Sequence, residues 1–180
     1  MTPIRTARLT LRPWREADRP DFAALNADPE VAADLGGPLP RAASDAKFDR
    51  YRATFARYGF SRLAIVDTQH RFVGYAGVMP SRPGHPLGPH TEIGWRLTRA
   101  AWGKGYATEA ARAVLADAFA RLGIVEVLAY TAAENARSQA VMARLGMRRD
   151  PSRDFDVLYG GTPWHGLVWV AEMRRAVTQV

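Results

Sequence analysis

The segment from Trp102 to Thr108 brings glycine, lysine and a hydroxyl together in the order Trp-Gly-Lys-Gly-Tyr-Ala-Thr. Glycines at 103 and 105 allow a tight turn in which several main-chain N–H groups face one way. A helix that begins there adds unpaired N–H donors and a partial positive charge. This combination suits a phosphate or pyrophosphate, near which Lys104 and Thr108 add a charge and a hydroxyl. The alternative is a plain glycine-rich turn between a strand and a helix.

Other motifs for nucleotides and metals do not fit this chain. The P-loop pattern fails because Gly-Lys is followed by Gly105, and the dinucleotide pattern GxGxxG fails because it would end at Thr108. The absence of cysteine excludes disulfides, thiol nucleophiles, zinc fingers and iron–sulfur clusters. The four histidines show no HExxH spacing, so we expect no metal.

The glycine turn must be positioned by the elements on either side of it. Residues 91–97 read as a central strand that leads towards the turn. After the turn, apolar residues recur with helical spacing from Ala107 to Leu122, which predicts a long amphipathic helix that ends at Gly123. Residues 124–131 then read as a buried strand. This strand–helix–strand unit should be parallel and right-handed.

The remaining pattern completes a single α+β domain over residues 1–180. A strand within residues 7–14 precedes a short helix capped by Asp18, an irregular loop at 28–40 and a helix capped by Ser44. Further elements are predicted as a hairpin at 61–66 and 72–79, a loop at 80–89, a helix at 135–145, and strands at 154–159 and 167–173.

The sequence resembles the GNAT superfamily of acetyl-CoA-dependent N-acetyltransferases. Its acyl-CoA signature, Arg/Gln-x-x-Gly-x-Gly/Ala, maps onto residues 102–107, where Trp102 departs from the first position. The branch that resembles the ribosomal-protein N-terminal acetyltransferases often reads Trp-Gly-x-Gly-Tyr-Ala-Thr-Glu-Ala, as residues 102–110 do. The opening strand at 7–14 and the segment Asn135-Ala136-Arg137-Ser138, followed by Leu145-Gly146-Met147, are also similar to that branch.

The resemblance implies a mixed, mostly antiparallel sheet of six to seven strands with about four helices, splayed at its two parallel central strands. Acetyl-CoA would lie in the splay as a co-substrate. Its pantetheine would bond to the main chain of Trp95, Arg96 and Leu97, and Asn135 would contact it. Its pyrophosphate would lie on the turn formed by Trp102, Gly103, Lys104, Gly105, Tyr106, Ala107 and Thr108. Gly94 fits a strand bulge that opens the cleft, or a packing glycine.

The implied reaction is the attack of a neutral primary amine on the thioester in a ternary complex. Because amines are mostly protonated at neutral pH, a base or a chain of waters must take the proton. Glu92, at the start of the central strand, is the candidate base. Ser138 corresponds to the serine near the sulfur and is the candidate acid. Asn135 and Ser138 also suit the start of a helix, and Tyr130 is interpreted as packing.

The acceptor amine would enter between the loops at 28–40 and 159–165. Within them, Asp34 is a candidate for binding a cationic group, and Trp164 and His165 are candidates for contacting the substrate. Each also has an ordinary interpretation as a solvated loop residue. The acceptor is either a protein N-terminus or a small molecule, and the chain is expected to act as a monomer or homodimer.

The net charge of +7 and pI near 10.3 first suggest a nucleic-acid partner. The positive charge is nearly all arginine and is dispersed, without a basic stripe or a helix-turn-helix pattern, so nucleic acid is disfavoured. A nucleic-acid or ribosome-associated module and a catalytically silent acyl-CoA-binding regulator stay open as alternatives. No apolar run is long enough for a membrane span or signal peptide, so a cytoplasmic protein without a membrane partner is expected.

Overall fold

A computed structural model describes residues 2–33, 36–159 and 161–173 of the chain. The helices are α1 (Arg19–Ala27), α2 (Pro29–Ala32), α3 (Arg41–Tyr58), α4 (Tyr106–Ala120) and α5 (Ala136–Arg144). The strands are β1 (Ile4–Arg5), β2 (Leu9–Arg12), β3 (Arg62–Asp67), β4 (Phe72–Pro80), β5 (Thr91–Leu97), β6 (Glu126–Thr131), β7 (Arg148–Arg149), β8 (Phe155–Tyr159) and β9 (Thr162–Glu172).

One mixed sheet organises the described chain, in the order β1-β2-β3-β4-β5-β6-β9-β7, and β8 forms a hairpin with β9. Strands β1 to β5 are antiparallel neighbours, and β6 to β9 are also antiparallel. The junction between the two halves is the parallel pair β5 and β6, connected through α4. This confirms the α+β fold and the predicted parallel unit.

The helices bury different faces of the sheet. On one face, α4 packs Ala110, Val114 and Ala118 into a core that also holds Ile93 and Leu97 of β5. The opposite face is covered by α1, α2 and α3 through an aromatic cluster formed by Trp14, Phe22, Phe48, Tyr51 and Tyr75. Because side chains alternate along a strand, β5 turns Glu92, Gly94 and Arg96 towards this second face.

Two local expectations were wrong, and the structure adds short elements to the expected fold. The segment at 28–40 is not wholly irregular, because Asp28 accepts hydrogen bonds from the main-chain N–H groups of Glu30 and Val31 and starts α2. Ser44 does not cap α3, which begins at Arg41; instead its hydroxyl accepts a hydrogen bond from Asn26 at 3.3 Å. The described chain also contains nine strands and five helices, since the two-residue strands β1 and β7 carry no readable alternation.

None of the helices described is long and apolar enough to cross a membrane.

Candidate active site

A cleft of about 1700 Å³ opens where β5 and β6 separate. The two strands are paired at one position, Glu92 with Leu128, although β5 remains paired with β4 along its whole length. From Gly94 to Leu97, the edge of β5 that turns away from β4 therefore has no strand beside it and lines the cleft. The predicted splay at the parallel strands is confirmed.

The open edge of β5 carries main-chain groups that a ligand can reach. Thr98 donates its N–H to Val73 of β4, so the main chain of Trp95 and Leu97, on the alternate positions, points into the cleft. The Leu97 carbonyl already accepts a hydrogen bond from the Trp102 indole at 3.0 Å. This bond gives Trp102 a structural reason to occupy the first position of the glycine turn.

The glycine turn is built for an anion. Gly103 and Gly105 have φ values of +73° and +76°, which an L side chain rarely adopts. Gly105 is the N-cap of α4, and no side chain within the described part of the chain caps this helix. The first N–H groups of α4 are therefore free for a ligand.

Most residues predicted to bind the cofactor line the cleft together. They are Trp95, Arg96, Leu97, Trp102, Gly103, Gly105, Tyr106, Ala107, Thr108, Asn135 and Ser138. Lys104 is exposed and is not among the lining residues, although its carbonyl accepts a hydrogen bond from Arg8 at 2.9 Å.

Arg8 stabilises the glycine turn through hydrogen bonds and a ring contact, a role that the sequence did not predict. Its Nε donates to Glu109 Oε2 at 2.7 Å, and its guanidinium lies 4.8 Å from the centre of the Tyr106 ring. Partial burial raises the pKa of Glu109, but hydrogen bonds from Thr6 and Arg8 outweigh this and hold that pKa below its usual range. An ion pair thus ties the residue before β2 to the first turn of α4.

Helix α5 forms the other side of the cleft. Asn135 is its N-cap, and the side-chain oxygen accepts the main-chain N–H of Ser138 at 2.9 Å. The Ser138 hydroxyl is not used in that bond and is half-buried in the wall of the cleft. Arg137 reaches back across the opening, where its guanidinium lies 4.1 Å from the centre of the Trp102 ring.

Glu92 lies where the two halves of the sheet part. Its Oε1 forms an ion pair with Arg62 Nη2 at 2.7 Å, and its Oε2 accepts the hydroxyl hydrogen of Tyr130. The side chain of Glu92 is 18% exposed and that of Arg62 is 7% exposed. Tyr130 packs as predicted, against Phe155, but it also orients the candidate base.

Two glycines open the path along which Arg62 reaches Glu92. Gly77 and Gly94 face each other on β4 and β5, and a Cβ atom on Gly94 would lie 2.8 Å from Arg62 Nη2. Pairing between β4 and β5 runs without a register shift through this position. Gly94 is therefore not a bulge; it is a glycine because the Arg62 guanidinium crosses over it.

Basic and phenolic groups line the cleft towards α3. Lys47 and Arg96 both donate to the side-chain oxygen of Asn26, at 3.1 and 3.0 Å. Burial lowers the pKa of Lys47, and the charge of Arg96 lowers it further. Burial alone would raise the pKa of Tyr75, but the charges of Arg96 and Lys47 outweigh it and hold the pKa below its ordinary value.

An aromatic wall closes the cleft at the far end. Phe155 stacks near Tyr130, Trp164 and His85, with ring centres 5.2, 5.7 and 4.7 Å apart. Trp164 thus lines the cleft, whereas His165 lies outside it, 52% exposed, with Nδ1 2.8 Å from Asp156. The third acceptor candidate, Asp34, lies outside the described residues.

The sequence did not predict several residues of the cleft lining. Among them are Lys47, Arg50, Arg62, Tyr75 and the loop at 82–86. One signal was available for Arg62, an arginine at the start of a strand that is otherwise wholly apolar up to Asp67. An arginine buried in a strand needs a carboxylate partner. The loop at 82–86 carries no comparable signal, because its prolines and glycines indicate only irregular structure.

The parted sheet and the uncapped glycine turn together form a cleft whose free main-chain N–H groups suit a phosphate-bearing ligand, beside the Glu92 carboxylate. Residues 8–148 match the family described as the acetyltransferase (GNAT) domain. The FsC-acetyl coenzyme A-N(2)-transacetylase of Aspergillus fumigatus is 32% identical over 151 residues, which are 80% of this chain and 64% of that relative. The chain therefore belongs to the GNAT acetyltransferase family, and it spans less than two thirds of this curated relative.

Solved structures show the same fold. An acetyltransferase from Agrobacterium tumefaciens superposes with a TM-score of 0.81 and 29% identity, covering 96% of this chain and 95% of that one. The RimL ribosomal-protein acetyltransferase in complex with coenzyme A has a TM-score of 0.75 at 16% identity, with 95% and 98% coverage. A spermidine N-acetyltransferase from Vibrio cholerae in complex with CoA and spermine has a TM-score of 0.74 at 17% identity, with 93% and 96% coverage. These neighbours show that the chain has the GNAT fold.

Proposed function

We propose that the protein transfers an acetyl group from acetyl-CoA to a primary amine by direct attack in a ternary complex. The observation that carries the proposal is the position of Glu92, which stands in the same cleft as the uncapped glycine turn, at the point where β5 and β6 part. A carboxylate there is available to an amine that approaches from the α3 side while a thioester lies along β5.

The residues present fit acetyl-CoA, which supplies the acetyl thioester. The free N–H groups at the start of α4 would hold the pyrophosphate, near the charge of Lys104. The open edge of β5 at Trp95 to Leu97 would hold the amide groups of the pantetheine. Arg137 lies at the mouth of the cleft, beside Trp102, within the reach of phosphate charges.

Glu92 would accept the proton that the amine loses in the reaction. As the amine nitrogen bonds to the acetyl carbon and the carbon–sulfur bond breaks, the amine loses a proton to Glu92, directly or through water. Arg62 and Tyr130 hold the two carboxylate oxygens and fix their direction. Ser138, across the cleft, is placed to give a hydrogen bond to the leaving thiolate.

The acceptor is a primary amine on a small molecule or at a protein N-terminus. Support comes from the named activities of the relatives, since one is an N(2)-transacetylase and another is a spermidine N-acetyltransferase. The cleft has room for an amine that carries a larger substituent, between Glu92 and the aromatic wall formed by Phe155 and Trp164.

Release of free thiol from acetyl-CoA with a panel of primary amines tests this function. Glu92→Gln is expected to lower kcat at least about tenfold, because the amide cannot take the proton. Glu172→Gln is the matched control, since Glu172 is exposed on β9 and does not line the cleft. Calorimetry should give an unchanged Kd for CoA in both variants. If Glu92→Gln keeps its turnover, Glu92 is not the base.

A thermal-shift series separates the alternative functions. A ligand at a hundred times its Kd stabilises the folded state by about 2.7 kcal/mol, so acetyl-CoA should raise Tm. DNA and RNA should leave Tm unchanged, and stabilisation by either one would favour a nucleic-acid module. Stabilisation by acetyl-CoA without thiol release for any amine would instead identify a silent acyl-CoA-binding regulator.

A further inference from the structure

Cations outnumber carboxylates in the part of the cleft next to α3. Lys47, Arg50, Arg62 and Arg96 line it, and the carboxylates in the lining near them are Glu30 and Glu92. Both carboxylates have partners. Glu30 pairs with Arg99 at 2.5 Å, outside the cleft lining, and Glu92 pairs with Arg62 at 2.7 Å.

Three cations have no carboxylate partner among residues 2–33, 36–159 and 161–173. Lys47 and Arg96 share the neutral side-chain oxygen of Asn26, and neither forms an ion pair. The Arg50 Nε is buried and has no hydrogen-bond partner within that part of the chain. Arg96 itself is only 7% exposed. Charges that are buried in this way normally have a partner of opposite sign.

Among the described residues, Tyr75 is the group beside these cations that can take a negative charge, because the charges of Arg96 and Lys47 outweigh burial and lower the pKa of Tyr75 to about 7. Tyr51 and Tyr75 are buried beside them, with ring centres 5.6 Å apart, and Lys47 Nζ lies 5.6 Å from the centre of the Tyr75 ring. The Arg50 guanidinium lies 5.4 Å from the centre of the Tyr51 ring. Phenol rings and an amide satisfy donors weakly in comparison with a carboxylate. One phenol cannot balance three cations, so the cluster formed by Lys47, Arg50 and Arg96 keeps an excess of positive charge that an anionic ligand would neutralise.

We propose, on the basis of the acetyl-transfer function above, that the acceptor amine also carries an anionic group, a carboxylate or a phosphate, which binds to Lys47, Arg50 and Arg96. The amine of the same molecule lies at Glu92. Glu92 and Arg96 are four residues apart on one face of β5, so their Cα atoms are about 13 Å apart. The amine and the anion are thus separated by several bonds, as in an ω-amino acid or an acidic side chain.

The same cluster acts against a second type of acceptor. A diamine or polyamine would place its far ammonium group where the anion belongs, against three like charges. Like charges in a pocket of low dielectric repel each other strongly. The α3 side of the cleft therefore selects anionic amines and rejects polycationic ones.

A panel of matched amines tests the inference. Each chain length, from three to six carbons, is offered with a carboxylate, a phosphonate, a methyl group or a second ammonium at the far end. Thiol release gives kcat/KM, and calorimetry on the CoA-bound enzyme gives Kd independently of turnover. We expect at least one anionic series to exceed the methyl series by at least about tenfold, and the diamines to be poorest. Whichever of the carboxylate and phosphonate series is better identifies the anion.

Variants on α3 locate the effect. Lys47→Gln and Arg50→Gln should each reduce the preference for the anionic series over the methyl series at least about threefold. Arg57→Gln, an exposed arginine of the same helix that does not line the cleft, should keep the preference.

The two proposals fail in different ways. Equal turnover of methyl-ended or diamine acceptors overturns the anion site and leaves acetyl transfer standing. Binding of anionic amines that depends on Lys47, without thiol release, supports the anion site and removes the proposed function. If no series binds and none is acetylated, both proposals are overturned.

Discussion

Glu92 joins two parts of the molecule that are distant in sequence. Arg62 comes from β3, before the central strand, and Tyr130 comes from the end of β6, after α4. Each partner takes one carboxylate oxygen, so the direction of the remaining lone pairs is set by the fold. A carboxylate that is fixed on both sides is preorganised for one proton transfer.

Ser138→Ala gives a prediction at the level of a single hydroxyl. The N-cap bond of α5 uses the main-chain N–H of Ser138, so removal of the hydroxyl leaves the helix start intact. We expect kcat to fall about tenfold through loss of the hydrogen bond to the thiolate, with an unchanged Tm. Steady-state thiol release and a thermal melt measure the two quantities.

The control for that variant is Ser152→Ala, at an exposed serine outside the cleft lining. Full turnover in Ser138→Ala would show that water or the main chain protonates the leaving group.

Individual residues of the site were predictable to different degrees. Glu92 was chosen for its place at the start of the central strand and Ser138 for its match to the family segment, and the structure places both in the cleft lining. Arg62 and Tyr130 were missed because their partnership with Glu92 depends on which strands are neighbours in the sheet. Local pattern gives the face of a strand but not the side chains that cross from the next one.

At the level of elements, the helix boundaries were predicted best where apolar residues recur over a long segment. Helix α4 was predicted closely because its apolar stripe is long, and Gly105 and Gly123 bracket it with positive φ. The start of α3 was misplaced because Ser44 resembles a cap, whereas its hydroxyl is instead used by Asn26 of α1. That use depends on how two helices pack, which sequence spacing does not encode.

The start of α5 provides a prediction about one element. Asn135→Ala removes the side-chain oxygen that accepts the Ser138 N–H and should lower the free energy of unfolding by about 1 kcal/mol. Asn135→Asp keeps an accepting oxygen and should keep that stability. If Asn135 contacts CoA as we propose, the same change adds a negative charge at that contact and should weaken CoA binding.

Urea unfolding measures the cap of α5, and calorimetry with CoA measures the contact. If Asn135→Asp binds CoA as tightly as the wild type, Asn135 is a helix cap and not a cofactor contact.

For the whole molecule, the charge of +7 is better understood as a distribution than as a sum. Many arginines are neutralised locally, as in the pairs Arg12 with Asp18 and Arg121 with Asp117. Some of the cations that have no carboxylate partner among the described residues lie together in the cleft, at Lys47 and Arg96. Composition could not predict this, because it counts charges without their partners.

The stability of the folded state at acid pH should depend on Asp18, which is buried. Its carboxylate accepts two hydrogen bonds from Arg12, at 2.6 and 2.7 Å, and one from the main-chain N–H of Arg15. Burial raises the pKa of Asp18, but these bonds outweigh it and hold the pKa below its ordinary value. The folded state then binds fewer protons than the unfolded state. Its stabilisation is full above about pH 4 and is lost as the pH falls through the folded-state pKa.

Asp18→Asn should therefore lower the free energy of unfolding by about 3 kcal/mol at pH 7, because Arg12 loses its partner. The difference from the wild type should shrink as the pH falls below about 4. Urea unfolding across this range measures it, with Asp21→Asn, an exposed aspartate of the same helix region, as the control. A difference that stays constant with pH would contradict the ion pair.

Strands β5 and β6 are paired at one position, and this weak connection affects how the sequence of such a protein can diverge. The hairpin of β8 and β9 packs Phe155, Val168 and Val170 with Leu128 of β6 in a small apolar cluster. It pairs with β6, which in turn pairs with β5 at one position. Changes in this hairpin alter the wall around Trp164 without passing through the hydrogen bonds that hold the glycine turn and the edge of β5. Substitutions in the hairpin can therefore reshape the Trp164 side of the cleft while the glycine turn and the edge of β5 stay unchanged, whereas the proposed acceptor contacts at Glu92 and on α3 lie on the other side of the seam and change separately.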